Sequence, residues 1–480
     1  MTMTRSEHAI VLGGGWAGML AAQALSRRFD AVTVLERDVL PEGPRQRKGQ
    51  PQARHGHILW SSGARVVDAL LPGTIDRLLS LGARRIMFQR DLVTLTSHGW
   101  QHRFPSKQYC VMCSRPLMDW AVREQVAASG RVEVRQRTEA LDLAGDRDRI
   151  TGVHVRDVAT GAASSLTADL VVDATGRGSR LKHWLGALGL PPLEEDVVDA
   201  GMAYCSRIYQ APPGAAAGFP PVNLAPDPRV REPGRFGVVH PQEDGTWMVT
   251  LAGTRGVRLP TDDAEFNEYA RTLRDPLVAD LIARAEPLTP LVVSHFGANR
   301  RLYPERLAGW PDRLVVLGDA LAVFNPIYGH GMSAAARGIA ALDERLAEEG
   351  LGAGAVAAAQ RDVCAAVDDP WIIAAARDIE YVGCRSTATD PRLLGEADAR
   401  RRFADVITVR SLRSPGVSEM VTDAASLAVP QSELGSSRFM ALLGSDPMRP
   451  ELTEPPLSPD ELALVNLSPR AAVGAETASG

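Results

Sequence analysis

Ala9-Ile10-Val11-Leu12-Gly13-Gly14-Gly15-Trp16-Ala17-Gly18 passes from an apolar run through three glycines into a helix-forming segment, and the fold is read outward from it. Residues 9–12 read as a buried strand, 16–28 as a helix and 31–35 as a second strand, so the chain starts with a compact βαβ unit. Within Gly13-x-Gly15-x-x-Gly18 the duties differ. Gly13 permits a tight turn, Gly15 lets backbone approach a pyrophosphate, and Gly18 allows close packing of the helix, whose N-terminus stabilises phosphate charge. Glu36 follows Gly18 by 18 residues, at the end of the second strand, where a carboxylate accepts both hydroxyls of an adenosine ribose. The unit therefore predicts a dinucleotide site.

Composition bounds the rest. At 480 residues and 45% hydrophobic content, the chain suits two or three packed globular units. A net charge of -5, with arginines dispersed along the chain, gives no reason to expect a nucleic-acid partner. The uncharged stretch 9–25 is short and broken by glycines, so no membrane span is expected. Residues 1–7 lack an apolar export signal, which predicts a cytoplasmic protein. The five cysteines are scattered and odd in number, as for reduced thiols, and Cys110-x-x-Cys113 lies in an apolar run that reads as core. His55 and His57 flank Gly56 without the cysteine, histidine or carboxylate companions a metal needs, so no metal is expected.

Further along, residues 60–81 and 115–128 read as helices, the second with Ser114 as N-cap and Pro116 in its first turn. Strand-like segments at 132–136, 151–158 and 166–172 lead to Asp173-Ala174-Thr175-Gly176. Between 191 and 300 the texture changes to short strands, such as 236–240 and 247–252, with Pro/Gly-rich turns over 211–234. An apolar strand returns at 314–317, ends in Gly318-Asp319, and leads through a glycine-punctuated loop to a helix over 332–349. Helical patterns then dominate, clearest at 355–367 and 396–412, before a proline-rich stretch at 447–459 and a terminal dozen residues that read as disordered. No internal repeat is present. The predicted architecture is α/β: a dinucleotide-binding, Rossmann-like domain discontinuous in sequence (1–190 and 300–350), an inserted β-sheet substrate domain (191–299), a helical C-terminal region (351–446) and a proline-rich tail (447–480).

The glycine fingerprint does not separate FAD from NAD; later motifs do. Asp319, directly after a buried strand, is placed to accept a hydrogen bond from a ribityl hydroxyl of FAD. In Asn325-Pro326-Ile327-Tyr328-Gly329-His330-Gly331-Met332-Ser333 the glycines let backbone press against a flat ring. A helix starting near Met332 would aim its N-terminus at the pyrimidine edge of a flavin, stabilising the negative charge that reduction places there.

Residues 13–18, Glu36, 173–176 and 318–332, in that order, resemble the fingerprints of the aromatic-hydroxylase-type FAD monooxygenase superfamily. Within it, Lys48-Gly49-Gln50-Pro51-Gln52-Ala53-Arg54-His55-Gly56-His57-Ile58-Leu59-Trp60, Gly99-Trp100-Gln101-His102-Arg103-Phe104-Pro105, residues 319–332 and Val367-Asp368-Asp369-Pro370-Trp371 are similar to the polyether-ionophore epoxidases of the monensin and lasalocid type. That similarity runs from the N-terminus to at least Leu434. The resemblance implies FAD, with O2 as co-substrate, and epoxidation of the alkenes of a linear polyene polyketide, free or on a carrier protein, before ring formation. It implies a flavin C4a-hydroperoxide as oxygen donor, so no protein acid or base is assigned as catalytic. It implies cofactor contacts at Gly13, Gly15, Trp16, Ala17, Gly18, Glu36, Arg37, Lys48, Arg115, Asp173, Gly318, Asp319, Pro326, Gly329, Gly331 and Met332. His55, Trp100, Trp247 and Phe296 are the candidate substrate-lining residues. One departure from the aromatic hydroxylases stands out: Asp173 is followed by Ala174 where they usually carry Asp-Gly, a motif that shares in NAD(P)H handling. Electrons would then come from NAD(P)H directly or through a separate flavin reductase. A phenol-type hydroxylase and a flavin-dependent alkene reductase are the alternative activities.

Overall fold

The computed structural model describes residues 6–469 other than Phe296 and Glu396. Strand β1 (His8–Leu12) lies at the centre of a five-stranded parallel sheet. It pairs with β2 (Ala31–Glu36) on one side and Leu170–Asp173 on the other, and Val132–Gln136 and Leu314–Val316 form the edges. Because the chain leaves β1 toward one flank and returns on the other, a crevice opens at the carboxyl ends of the central strands. Both faces of β1 are covered, which is why residues 9–12 are an unbroken apolar run rather than an alternating one.

Helix α1 (Trp16–Leu25) is shorter than the expected 16–28. Ser26 caps its end, and Arg28 turns away to pair with Asp343. The helical pattern of 60–81 divides into Ser61–Leu70 and Thr74–Ser80. Pro72 supplies no N–H to continue the first helix, and Gly73 takes a left-handed φ of +81° at the junction. The apparent strand 166–172 is also two elements. Ala163–Thr167 closes a three-stranded antiparallel meander with Thr138–Gly145 and Ile150–Asp157, whereas Leu170–Asp173 belongs to the parallel sheet.

An eight-stranded sheet faces the crevice, built on the antiparallel run Ala203–Gln210, Thr246–Gly253, Arg235–Pro241 and Val222–Leu224. Val93–Thr96 and Gly99–Trp100 extend it, so part of this sheet comes from upstream of residue 191. Strand alternation gives this sheet two faces. Trp247, Val249 and Leu251 point outward into a core closed by the helices Asp263–Arg271 and Leu277–Ile282. The same core takes in Val465, fully buried, with Leu452, Leu457 and Leu464 against it. The expected tail is thus packed structure as far as residue 469, and it includes a short helix Pro459–Leu464 whose Ser458 and Glu461 form a capping box; residues 470–480 lie outside the described residues.

Helix Gly331–Glu349 crosses Ser61–Leu70 closely enough that a Cβ on Gly63 would sit 2.6 Å from the Cα of Ser333. Helices Ala355–Ala366, Asp368–Asp378, Ala397–Arg413 and Pro415–Ala425 follow. Among the described residues no helix is long and apolar enough to cross a membrane. Cys110, Cys113, Cys205 and Cys364 are buried free thiols, and Cys384 is a half-buried one.

Candidate active site

A cavity of about 500 Å³ separates the carboxyl ends of the parallel sheet from the inner face of the eight-stranded sheet. Its first bank comes from β1, α1 and β2. Gly13 holds φ +97°, and a Cβ there would meet Ala174 O at 2.6 Å, so the turn passes between β1 and the strand beside it only as glycine. Gly13, Gly15, Trp16, Ala17, Glu36 and Arg37 all line the cavity. Gly18 does not reach it. A Cβ on Gly18 would lie 1.8 Å from Gly13 O, so its role is to let α1 press on the turn.

Glu36 is buried, and its carboxylate accepts from Gly14 N–H (2.9 Å) and Asp38 N–H (2.9 Å). Arg47 Nη1 donates to the same carboxylate at 2.8 Å. Arg47 therefore takes the position expected of Lys48, which is exposed and lines no wall: the loop turns the neighbouring side chain inward. Nothing in the local sequence distinguishes these two adjacent cations.

The second bank carries Gly318, Asp319, Pro326, Gly329, Gly331 and Met332, all on the cavity wall. Burial raises the Asp319 carboxyl, and the guanidinium groups of Arg177, Arg115 and Arg300 pull the other way. Arg115, first residue of the helix Arg115–Ala128, also lines the cavity and donates from Nε to Asp119 at 2.8 Å. Asp173 is fully buried and stands behind the wall. It accepts from Thr175 N–H (2.9 Å), Thr175 Oγ1 (2.6 Å) and Ser179 Oγ (2.6 Å), shaping the turn whose Ala174, Thr175 and Gly176 line the cavity in its place.

These features fit FAD. Two helix N-termini, α1 behind Gly15 and Gly331–Glu349 behind His330, face one cavity, and neither has a side-chain cap. Their first-turn N–H groups are therefore left for an anionic or carbonyl ligand, as a pyrophosphate at one end and a flavin pyrimidine edge at the other require. The close-packed turn at Gly13 and the carboxylate of Glu36 complete an adenosine end.

The third bank is the inner face of the eight-stranded sheet: Tyr204, Asn223, Val238, His240, Thr250 and Ser294. His55 joins it, with Nδ1 2.8 Å from Ser206 Oγ. His240 donates from Nε2 to Asn223 Oδ1 at 2.8 Å. Burial lowers His55 and His240 to about 4, aided at His55 by the charge of Arg54. His57 is lowered to about 3 by burial and by Arg115. Trp100 and Trp247 are corrections: neither lines the cavity, and both point into the outer core, where Trp247 packs on Phe219 with ring centroids 5.9 Å apart. Sequence aromaticity carries no information on which face of a sheet is the wet one. Phe296 lies outside the described residues. Tyr204 and His240 also line the cavity, and their only signal in the sequence is the alternation with Cys205 and Val239, readable once the face is known. Among the described residues, no group of three or more histidine, cysteine or acidic side chains is placed to hold a metal.

Comparison with known proteins agrees with this geometry. The family profile described as FAD binding domain matches residues 7–358. Protein Rv3254 of Mycobacterium tuberculosis strain H37Rv is 32% identical over 336 residues, 68% of this chain and 70% of that protein. Kynurenine 3-monooxygenase of Salinispora arenicola is 29% identical over 375 residues, 74% of this chain and 75% of that protein. The structure of p-nitrophenol 4-monooxygenase PnpA from Pseudomonas putida DLL-E4 shares the fold, with a TM-score of 0.62 at 18% identity over 89% of this chain and 99% of that one. The chain belongs to the FAD binding domain family of FAD-dependent monooxygenases, and its cofactor is FAD.

Proposed function

We propose that this monooxygenase is an epoxidase, adding single oxygen atoms to the alkenes of a linear polyene polyketide, free or carrier-bound, before polyether rings form. Resemblance to the polyether-ionophore epoxidases motivates the reading. The structural observation that carries it is the inner sheet face. Tyr204, Asn223, Val238, His240, Thr250 and Ser294 present no formal charge to the cavity, because burial keeps His240 neutral at physiological pH. Val323, Phe324 and Ile327 add apolar surface opposite. Such a wall, uncharged but rich in hydrogen-bonding groups, suits an uncharged chain that carries oxygen functions as well as alkenes.

Bound FAD, reduced by NAD(P)H directly or through a separate flavin reductase, supplies the activation of O2. The chain's own residues bind and orient. In this reading Gly13, Gly15 and the α1 N-terminus hold the pyrophosphate, and Glu36 holds the ribose. Asp319 accepts from a ribityl hydroxyl, while the N–H groups of Gly331 and Met332 meet the pyrimidine edge. His55 and His240 bring no charge to the reacting carbons, and the sheet face sets which side of an alkene is presented.

Hydroxylation of a phenol-type ring is the second reading, and His240 favours it: with Nε2 donating to Asn223, Nδ1 remains an acceptor without a partner. The test is product mass after incubating a linear trisubstituted polyene ester with the protein, FAD, a flavin reductase, NADH and labelled O2. Epoxidation gives products carrying one or more single labelled oxygens that open to diols in acid. Unchanged polyene with prompt H2O2 release defeats the proposal, and label in a phenol panel instead establishes the second reading. Alkene reduction without label marks a reductase.

A further inference from the structure

Helix Asp368–Asp378 ends on a carboxylate that is 1% exposed yet surrounded by donors. Asp378 Oδ1 accepts from Tyr328 Oη at 2.6 Å and from Asn325 Nδ2 at 3.0 Å. Its Oδ2 accepts from Asn325 Nδ2 at 2.8 Å and Asn299 Nδ2 at 2.6 Å. A carboxylate is costly to bury unless its lone pairs are filled, and here three side chains fill them. The Arg377 guanidinium lies 5.3 Å from the Tyr328 ring centroid.

The partners hold a particular piece of backbone. Asn325 Oδ1 accepts from Ile327 N–H at 3.2 Å and from Tyr204 Oη, so the amide is oriented from one end by the substrate sheet and from the other by Asp378. Asn299 Oδ1 accepts from Asn325 N–H at 2.6 Å. Pro326–Tyr328 then form one 3-10 turn, followed by Gly329 at φ +69° and the uncapped N-terminus of Gly331–Glu349. Asp378, by contrast, comes from the helical C-terminal region, beyond the matched segment 7–358.

We infer that Asp378 is a positioning residue: through Asn325 and Tyr328 it holds the 325–330 loop in the shape that receives FAD, and it couples that loop to Tyr204 in the substrate wall. The inference rests on the reading that this loop lies against the flavin. An amide at 378 would turn one acceptor into a donor facing the amide groups of Asn325 and Asn299. Exchanging the two groups restores most of the complement, since a carboxylate at 325 still accepts from Tyr204 and Ile327, and an amide at 378 can donate to it while its carbonyl oxygen accepts from Asn299.

The experiment uses full-length apoprotein and titrates FAD by fluorescence, records the bound-flavin absorption spectrum, and measures the thermal midpoint of each apoprotein. Variants are D378N, the exchange N325D/D378N, and the milder Y328F, which removes one donor only. D378N is expected to weaken FAD binding by about tenfold or more and to shift the flavin spectrum. Y328F should do so to a lesser degree and lower the apoprotein midpoint by less than D378N does, since Asn325 and Asn299 still fill the carboxylate, and the exchange should recover most of the affinity. Wild-type affinity and spectrum in Y328F and in folded D378N would overturn the inference. So would losses in Y328F that appear only in the apoprotein midpoint, since Asp378 would then serve general stability. Failure of wild-type protein to bind FAD would instead strike the cofactor site itself.

Discussion

Alanine at Gly18 and alanine at Gly15, three positions apart, are expected to weaken FAD binding by different routes. A Cβ at Gly18 would stand 1.8 Å from the backbone oxygen of Gly13, where contacts under 3.0 Å are essentially never seen. No side chain can rotate away, so α1 must shift on the order of 1 Å from the turn that precedes it. Overpacking of this kind costs roughly 1–3 kcal/mol, occasionally more. A Cβ at Gly15 would meet the tip of the Arg47 side chain at 3.3 Å and, at ordinary contact distance, Gln50 Nε2 at 3.8 Å, and the ends of flexible side chains give way cheaply. Gly15 nevertheless lines the cavity at the helix N-terminus, where that Cβ would crowd a pyrophosphate. Gly18→Ala should therefore lower apoprotein stability and FAD affinity together. Gly15→Ala should leave the apoprotein denaturation midpoint unchanged and weaken FAD about tenfold, or about 1.4 kcal/mol. Chemical denaturation of apoprotein with parallel fluorimetric FAD titration reads both quantities. Equal apoprotein stability for Gly18→Ala and wild type would refute the packing argument, and wild-type FAD affinity in Gly15→Ala would refute the placement of the pyrophosphate.

Trp247→Ala should destabilise the protein by roughly 3–5 kcal/mol, the usual cost of emptying a large aromatic site, while a substrate-lining role would predict a change in substrate KM at nearly constant stability. Removing the Glu36 carboxylate as Glu36→Gln strands a largely buried Arg47, since the two side chains are only 7% and 11% exposed; a loss of roughly 3 kcal/mol together with weaker FAD binding is expected, and a double-mutant cycle with Arg47→Met returning no coupling energy would contradict the pairing. Acid should act through the buried imidazoles. His55, His240 and His330 are lowered from 6.5 to about 4, so the unfolded chain protonates first; their stability contribution is complete above about pH 6.5 and is lost as pH falls toward 4. Each is worth roughly 3 kcal/mol over that range, and a denaturation midpoint that stays flat from pH 7 to about 4.5, or that changes no less steeply in His240→Gln, would count against this account.

Much of this molecule was legible in the order of its residues, because the relevant physics is local. Glycine alone tolerates the φ at Gly13 and the contact at Gly18, and periodicity of apolar residues distinguishes β1 and β2 from α1. Glu36, Gly318-Asp319 and the 325–333 loop follow from their places after strands and before a helix, and they announce FAD and an α/β dinucleotide fold without tertiary knowledge. Other decisions needed the folded chain. Leu170–Asp173 leaves the meander for the parallel sheet although its apolar pattern runs on from 166, since pairing partners are chosen by distant strands. Trp247 and Trp100 point away from the cavity, and Tyr204 and His240 toward it, because alternation fixes parity but not which face is covered. Arg47 rather than Lys48 reaches Glu36 through the path of a loop. Asp378 became visible only when helix Asp368–Asp378 brought it to Asn299, Asn325 and Tyr328, for a buried polar network joins residues that share nothing along the chain except where the fold puts them.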